Sequence, residues 1–489
     1  MVDLDWQRNR EDDHTDIDVA NSPFEWATKL AEAGMPFPMV NGREGLFEAV
    51  GPWISAVVEC LSAIKNRFKI EACIGDVSSV LEQIRHGIVG HRIAGESTQD
   101  REKVNASEHE ISSPRLSTSE LASRSTMYQY PQLYDRIHLS NIPDYIGGTL
   151  ITFLDALPVL HEGDLSYVTS TCLRNPPRFK SVAHFNNEYI ALSSPADLEK
   201  VFHVRMEPYN PDPQDNLPMI EYLKWHQCHQ SKTLSERMAR NDLETWLYRL
   251  FLKISIPTRR QIRENTLIYS PTNLTVFIRL CSHLHNIGYP AHWIGGVLAS
   301  ILSGKITTKA RPPRSDPLKI REVRMDMPML SQSTKPFTAE LSSLLGIWEA
   351  VLPFGNPSAN TPPPGTVRRY SFTLEKIPDN PVAEPPAFVL VLLRRSLSVK
   401  INVNLRPYLL SDEKADKSEL ANEVRERGMH FITTWTWDRR DRSGSFWLRQ
   451  DLMEEMRKSD WEFGIWRSDA WAPQTPQMPL AMLQDCGPF

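Results

Sequence analysis

The stretch "YDRIHLSNIPDYIGGTLITFLDALPVL" (134–160) decides how this sequence is predicted to fold. Residues 134–140 alternate between apolar and polar side chains, which is typical of a strand with one buried face. The segment "NIPDY" (141–145) combines proline with asparagine and aspartate, so it predicts a turn. The apolar run that follows "GG" predicts a helix. The stretch is therefore predicted to be a strand, a tight turn and a helix.

A second unit of the same kind precedes this stretch. The segment "FKIEACIGD" (68–76) alternates and ends in Gly-Asp, and "VSSVLEQIRHGI" (77–88) continues at helical spacing. Two strand-turn-helix units predict an α/β fold with some parallel sheet. Residues 94–128, which lie between the units, are rich in Ser, Glu and Arg and predict a flexible surface insertion.

The rest of the chain divides by composition. Residues 1–20 are polar and acidic and predict a disordered N-terminus, so that the α/β domain extends over 21–353. Its second half, 165–352, predicts a large helical region. The proline-rich segment 354–366 predicts a linker, and 367–489 predict a C-terminal α+β region. Four segments there are predicted to be strands of one antiparallel or mixed sheet: "RRYSFTLEKI" (368–377), "PAFVLVLLRRS" (386–396), "SVKINVNLRPY" (398–408) and "MHFITTWTWD" (429–438).

Composition narrows the class of protein. The chain has 489 residues and a formal net charge of -5, which argues against a globally basic nucleic-acid binder. Its six cysteines form no CxxC pair, so a disulfide framework and a zinc finger are both disfavoured. The apolar runs are too short to span a bilayer, and the N-terminus is unlike a secretory signal. We expect a cytoplasmic protein without a bound metal.

Polar side chains gather where the strand of the opening stretch ends. Ligands of open α/β sheets bind at the carboxyl ends of strands. Ser140 is a candidate nucleophile there, and His138, two residues earlier, faces the same side and is a candidate base, as is Tyr145. Asn141 and Asp144 are candidates for binding substrate. The alternative is that these residues only form the turn and cap the next helix.

Three stretches carry a family resemblance: 134–150, "VTSTCLRNPPRF" (168–179) and "NLTVFIRLCSHLHNIGYPAHWIGGVLASIL" (273–302). They resemble a large family of fungal proteins, often fused to a MYND zinc finger, over roughly residues 40–310. The resemblance implies a modified Rossmann-like, methyltransferase-like sheet. In it, Asp76 would face the adenine of S-adenosylmethionine. The glycine-rich turn usual in methyltransferases is missing ahead of Asp76, and the MYND ligands are missing too.

The chain also resembles, more distantly, the arginine-containing cyclodipeptide synthases of fungal secondary metabolism. This resemblance implies an enzyme that joins arginine from arginyl-tRNA to a residue from a second aminoacyl-tRNA in a 2,5-diketopiperazine. No cofactor is needed, because the tRNA ester is already activated. The acidic DDxxE-type motif of these synthases has its nearest counterpart in "NDLET" (241–245), where Asn241 replaces the first acid. Asp242, Glu244 and Asp144 are then candidates to bind a guanidinium, although a helix N-terminus also favours acids.

A tRNA partner requires a positively charged surface, and two basic segments, 258–263 and 305–324, are predicted to supply it. The alternative is a solvated loop. Three classes of function remain open: the cyclodipeptide synthase, an S-adenosylmethionine-dependent methyltransferase-like enzyme, and a non-catalytic scaffold. The candidate phosphate-binding residues are Arg259, Arg260, Arg263, Lys309, Arg311, Arg314, Lys319 and Arg321.

Overall fold

The computed structural model divides the chain into two compact units, Met1–Ile74 and Gly75–Phe489. All elements given below belong to the second unit. The predicted disordered N-terminus, the 94–128 insertion and most of the 354–366 linker lie outside the described residues. The structure describes residues 51, 55, 58–59, 62–63, 73, 75–88, 130–163, 165–172, 179–207, 223–228, 233–259, 273–324, 326–349, 352, 361–374, 388–398, 400–401, 404–438 and 441–489.

The opening stretch forms the first strand of a small mixed sheet. In the order of the sheet, the first two strands are parallel, and the remaining pairs are antiparallel. The fold is thus mixed α/β, as predicted, with one parallel pair in this sheet. Three of its strands lie within 165–256, which was predicted to be mostly helical. The strands are β1 (Arg136–Leu139), β2 (Tyr167–Ser170), β3 (Val204–Met206) and β4 (Leu223–Gln227), in the order β1-β2-β4-β3.

Helices cover much of the region 165–352, as predicted, and four of the longer ones are Arg240–Ser255, Leu274–Asn286, Ala291–Leu302 and Lys335–Trp348. The first of these four buries Leu243, Trp246, Leu247 and Leu250, which recur at the spacing of one helical face. The helices are α1 (Val77–Arg85), α2 (Pro143–Ile146), α3 (Gly148–Ala156), α4 (Val182–Ile190), α5 (Pro195–Phe202), α6 (Arg240–Ser255), α7 (Leu274–Asn286), α8 (Ala291–Leu302), α9 (Ile320–Arg324) and α10 (Lys335–Trp348).

The basic segment after α8 contains ordered structure. Strand β5 (Lys305–Thr308) pairs antiparallel with β6 (Leu330–Ser333), and α9 lies between them in sequence. Strand β5 alternates between exposed and buried residues, with Ile306 1% exposed. The segment is therefore anchored to the core at its beginning.

The C-terminal region forms two further sheets rather than one. Their orders are β10-β11-β7-β15 and β13-β12-β8-β9, with β14 also paired to β12. The elements are β7 (Val367–Thr373), β8 (Phe388–Arg394), α11 (Arg395–Ser398), α12 (Arg406–Leu409), α13 (Glu419–Glu423), β9 (Met429–Ile432), β10 (Trp435–Asp438), β11 (Ser443–Arg449), α14 (Gln450–Arg457), β12 (Trp461–Arg467), β13 (Ala472–Pro473), β14 (Met478–Pro479) and β15 (Gln484–Pro488).

The strand predicted over 398–408 is wrong at its C-terminal end, which forms helix α12. The side chain of Asn404 accepts a hydrogen bond from the Arg406 N–H at 3.0 Å, and Pro407 lies in the first turn of the helix. Ile401 and Leu405 are buried, so the apolar alternation reflects burial in the core without strand pairing. Proline at the start of a helix is well tolerated, because the first N–H groups need no partner within the helix.

Buried side chains on both sides of the 354–366 segment belong to one hydrophobic cluster. Phe337 of α10 stacks on Phe431 of β9, with ring centroids 5.2 Å apart. The Trp471 indole N–H donates to the Pro257 carbonyl oxygen at 3.0 Å. The C-terminal sheets therefore pack directly on the helical region.

Candidate active site at the end of strand β1

Strand β1 presents two polar side chains on one face. Ile137 and Leu139 are buried, whereas His138 and Ser140 are exposed, so the predicted pair does share a side. The His138 Nδ1 lies 2.8 Å from Thr169 Oγ1 on the neighbouring strand β2. The Ser140 hydroxyl makes no hydrogen bond with any described residue. It is thus an exposed hydroxyl on the same face as His138, whose ring contacts Thr169 of the neighbouring strand.

The turn after Ser140 is tied to the end of β2. Asn141 has φ 44°, in the left-handed region that asparagine tolerates better than most residues. Its N–H donates to Thr171 Oγ1 at 2.8 Å. The predicted turn then continues as the short helix α2, with Pro143 at its first position. Asn141 therefore has a structural part in the turn, and its side chain is half-buried.

Asp144 and Tyr145 are adjacent but differ in burial. Asp144 is 2% exposed, whereas Tyr145 is 43% exposed. Burial and the nearby Asp144 carboxylate raise the pKa of the Cys172 thiol well above its usual range. Cys172 is then a neutral thiol, which is a poor nucleophile. Ser140 remains the better candidate nucleophile at this edge.

Gly148, at the start of α3, permits a close approach between two helices. Its φ is 68°, and a Cβ on it would lie 2.1 Å from a ring carbon of Tyr189 in α4. Tyr189 is 3% exposed and has little room to move. The "GG" of the opening stretch is therefore required for packing as well as for backbone conformation.

Replacing Gly148 by alanine is expected to lower the free energy of unfolding by about 2 kcal/mol or more, because it adds both strain and a clash. Gly295→Ala is the matched control. Gly295 lies in α8 with nothing within 4 Å of a Cβ, so alanine there should be neutral or stabilising by up to about 1 kcal/mol. Urea denaturation measures both variants. Equal midpoints for the two would contradict this account of Gly148.

The other predicted acids have local structural roles. The Glu244 carboxylate accepts from Arg240 Nε at 2.7 Å, one turn earlier in α6, and Asp242 is exposed in the first turn of that helix. The Asp76 carboxylate caps α1 by accepting from the Ser79 N–H at 3.0 Å. In the methyltransferase-like alternative, the residue that would face adenine is thus already engaged by its own helix.

The predicted tRNA-binding residues divide into exposed and internal groups. Arg311 has a side chain 6% exposed and donates to the Pro328 carbonyl oxygen at 2.8 Å. It shares the Glu413 carboxylate with Arg314, at 3.3 Å and 2.6 Å. Lys309 pairs with Asp326 at 2.7 Å. Arg260 and Arg263 lie outside the described residues, and the exposed members are Arg259, Lys309, Lys319 and Arg321.

Sequence reasoning missed a polar cavity bordered by α1, α3 and α7. It contains about 920 Å³ of empty space, part of it open to solvent. Arg279 crosses it, bonded to the buried Asp155 and 3.5 Å from Glu82. Burial lowers the pKa of His283, which also lines the cavity, to about 4. The one sequence signal for this cavity is an arginine within the apolar "TVFIRLC" (275–281).

No family model matches this chain, and no curated protein or solved structure matches it either. Within the ranges that the structure describes, no three His, Cys, Asp or Glu side chains gather in a way that could hold a metal ion. In the same ranges, none of the helices is both long and apolar enough to cross a bilayer.

Proposed function

We propose that the protein is an enzyme of specialised metabolism, an aminoacyl-tRNA-dependent cyclodipeptide synthase. It would join arginine from arginyl-tRNA to the residue of a second aminoacyl-tRNA as a 2,5-diketopiperazine. The observation that carries the proposal is the exposed Ser140 hydroxyl, which lies at the carboxyl end of the parallel pair β1–β2 on the same face as His138. This is the edge at which open α/β sheets bind ligands.

The hydrogen bonds around His138 favour a ring that can accept a proton. Thr169 Oγ1 donates to the Ile137 carbonyl oxygen at 3.4 Å, so its lone pairs are available to an N–H on His138 Nδ1. A neutral imidazole that donates from Nδ1 accepts at Nε2. His138 Nε2 is then the candidate base for Ser140 or for the attacking amine, with the exposed Tyr145 as the other proton carrier.

The chemistry balances without an oxidant or ATP. Ser140 Oγ would bond to the aminoacyl carbon as the ester bond to the tRNA 3′ oxygen breaks, and the serine proton ends on that oxygen. Two amide bonds then form as the remaining ester bonds break, and each amine gives up one proton. The products are one diketopiperazine and two deacylated tRNAs.

The residues predicted to bind substrate or tRNA would each contact a particular part of the reactants. Asp144 is the acid at the β1 edge and the first candidate for the arginine guanidinium, since carboxylates bind that group in a fork geometry. Glu244 already binds a guanidinium, that of Arg240. The exposed Arg259, Lys319 and Arg321 are candidates for the tRNA phosphates.

Expression in a bacterial host tests the proposal, since that host supplies aminoacyl-tRNAs. Mass spectrometry of extracts is expected to find arginine-containing diketopiperazines that are missing from cells with the empty vector. Soluble protein without such products would contradict the proposal. Calorimetry with S-adenosylmethionine tests the methyltransferase-like alternative. Heat released or absorbed on binding would favour that alternative.

A further inference from the structure

Arg249 of α6 is a half-buried cation without a counter-ion among the described residues. Its guanidinium makes no hydrogen bond or ion pair with any described residue. Burial lowers its pKa to about 10. An uncompensated charge away from water is costly, so natural proteins retain one mainly where a ligand or partner neutralises it. Arg249 lines a pocket that contains about 400 Å³ of empty space, part of it open to solvent.

Helix geometry and two prolines bring further cations to the same pocket. Lys253 follows Arg249 by four residues, so both lie on one face of α6. On the other side, Pro312 and Pro313 favour an extended backbone with three residues per turn, which places Arg311 and Arg314 on one side of the segment. All four cations line the pocket.

The carboxylates near the pocket neutralise only part of this positive charge. Lys253 pairs with Glu188 at 2.7 Å, and Arg311 and Arg314 share Glu413. Glu322 lines the pocket as well, but its carboxylate accepts the backbone N–H groups of residues 314 and 319 at 2.8 Å and 3.1 Å. Against these three carboxylates, the four cations leave one excess positive charge, and Arg249 is the cation without an ion pair to any described residue.

Arg314 supplies a second sign of a missing ligand. Its Nη2 reaches Glu413, but its Nε–H is buried without an acceptor among the described residues. A buried donor without a partner costs about 1–3 kcal/mol. The pocket therefore combines an unpaired guanidinium with an unpaired N–H, and both need an oxygen acceptor.

We propose that this pocket binds a phosphate group, with Arg249 as its principal ligand and Arg314 and Lys253 as supporting donors. A tetrahedral oxyanion offers oxygens in several directions, which suits donors that come from a helix on one side and an extended segment on the other. A planar carboxylate offers two oxygens in one plane. The rigid contacts of Arg311 with backbone carbonyls hold the opposite wall in place.

Inorganic phosphate is the first probe. The melting temperature of the full chain is expected to rise in sodium phosphate compared with sodium chloride at equal ionic strength, because a ligand of the folded state stabilises it. Arg249→Met should weaken phosphate binding by about tenfold or more in calorimetry. Without phosphate, this variant should be at least as stable as the wild type, since it has lost an uncompensated, half-buried charge. Arg427→Met, which removes an exposed cation that does not line the pocket, should bind phosphate as the wild type does.

Two results would overturn the proposal: a melting temperature that phosphate does not change, or equal phosphate affinity in the wild type and Arg249→Met. Deacylated tRNA identifies the source of the phosphate. If tRNA competes with inorganic phosphate and binds Arg249→Met more weakly, the site receives a nucleic-acid phosphate. If phosphate binds and tRNA does not compete, the site receives the phosphate of a small molecule. Neither result depends on diketopiperazine synthesis, so this proposal can fail or succeed separately from the proposed function.

Discussion

Replacing Ser140 by alanine is expected to reduce diketopiperazine formation by about a thousandfold or more, because the variant has no oxygen to carry the aminoacyl group. Ser140 is exposed, and its hydroxyl bonds to no described residue, so the fold should tolerate the change. The measurement is the rate of product formation from purified protein and aminoacyl-tRNAs. The unfolding midpoint should remain that of the wild type.

Ser396→Ala is the matched control, since Ser396 is an exposed serine of helix α11 in the C-terminal region. It should retain full turnover. The acylated intermediate gives an independent readout, because labelled arginine should become attached to the wild-type protein and to Ser396→Ala, and remain unattached in Ser140→Ala. If Ser140→Ala keeps more than about a tenth of the wild-type turnover, Ser140 is a turn residue and not the nucleophile.

Glu340 is expected to make the stability of the fold depend on pH. It lies in α10, is 1% exposed, and accepts the backbone N–H groups of Thr433 and Thr434 at 2.8 Å and 2.6 Å. The Thr433 hydroxyl also accepts the Leu274 N–H at 3.1 Å. One carboxyl group therefore joins α10, the start of α7 and the loop after β9.

Burial raises the pKa of Glu340 to about 7 from its ordinary 4.5, and the hydrogen bonds only partly oppose this. Between pH 4.5 and about 7, the carboxyl group of Glu340 keeps its proton in the folded protein, whereas it has lost that proton in the unfolded chain. The stabilisation is thus fully present below pH 4.5 and is lost as the pH rises through about 7. The loss is on the order of 3 kcal/mol.

Glu340→Gln isolates this effect, because its amide oxygen can accept the two N–H groups and its NH₂ can donate to the Thr433 hydroxyl. The unfolding free energy of the wild type should fall relative to this variant between about pH 4.5 and 7 and run parallel to it outside that interval. Glu454→Gln, which changes an exposed carboxylate of α14, serves as the control. Parallel curves for the wild type and Glu340→Gln over the whole range would show that Glu340 has the same pKa in the folded and the unfolded protein.

Local patterns predicted the elements that bury one face. Strand β1 and helix α6 follow from apolar spacing alone, and the polar residues after β1 lie at its end as expected. The strands β2 to β4 were not predicted, because they have three to five residues and occur among helices. Their pairing depends on contacts between distant segments, and a local window does not contain those contacts.

The pocket lined by Arg249 was likewise not predicted from local sequence patterns. The charge run at 305–324 predicted phosphate binding, yet Arg311 donates to several carbonyl oxygens of its own segment. In the sequence, Arg249 is one charged residue within the pattern of an amphipathic helix. That it has no partner among the described residues becomes visible only when α6 packs against the segment around Pro312 and Pro313. Buried charges are identified by tertiary surroundings rather than by spacing.

A reaction of the purified protein with labelled arginyl-tRNA and a mixture of other aminoacyl-tRNAs tests whether the protein is a tRNA-dependent cyclodipeptide synthase. The account predicts a labelled arginine-containing diketopiperazine that disappears after RNase treatment and is not formed from free arginine and ATP. Equal product from free arginine and ATP after RNase treatment would contradict the tRNA-dependent mechanism. The absence of labelled product, with the protein folded and the tRNAs charged, would contradict the proposed function itself.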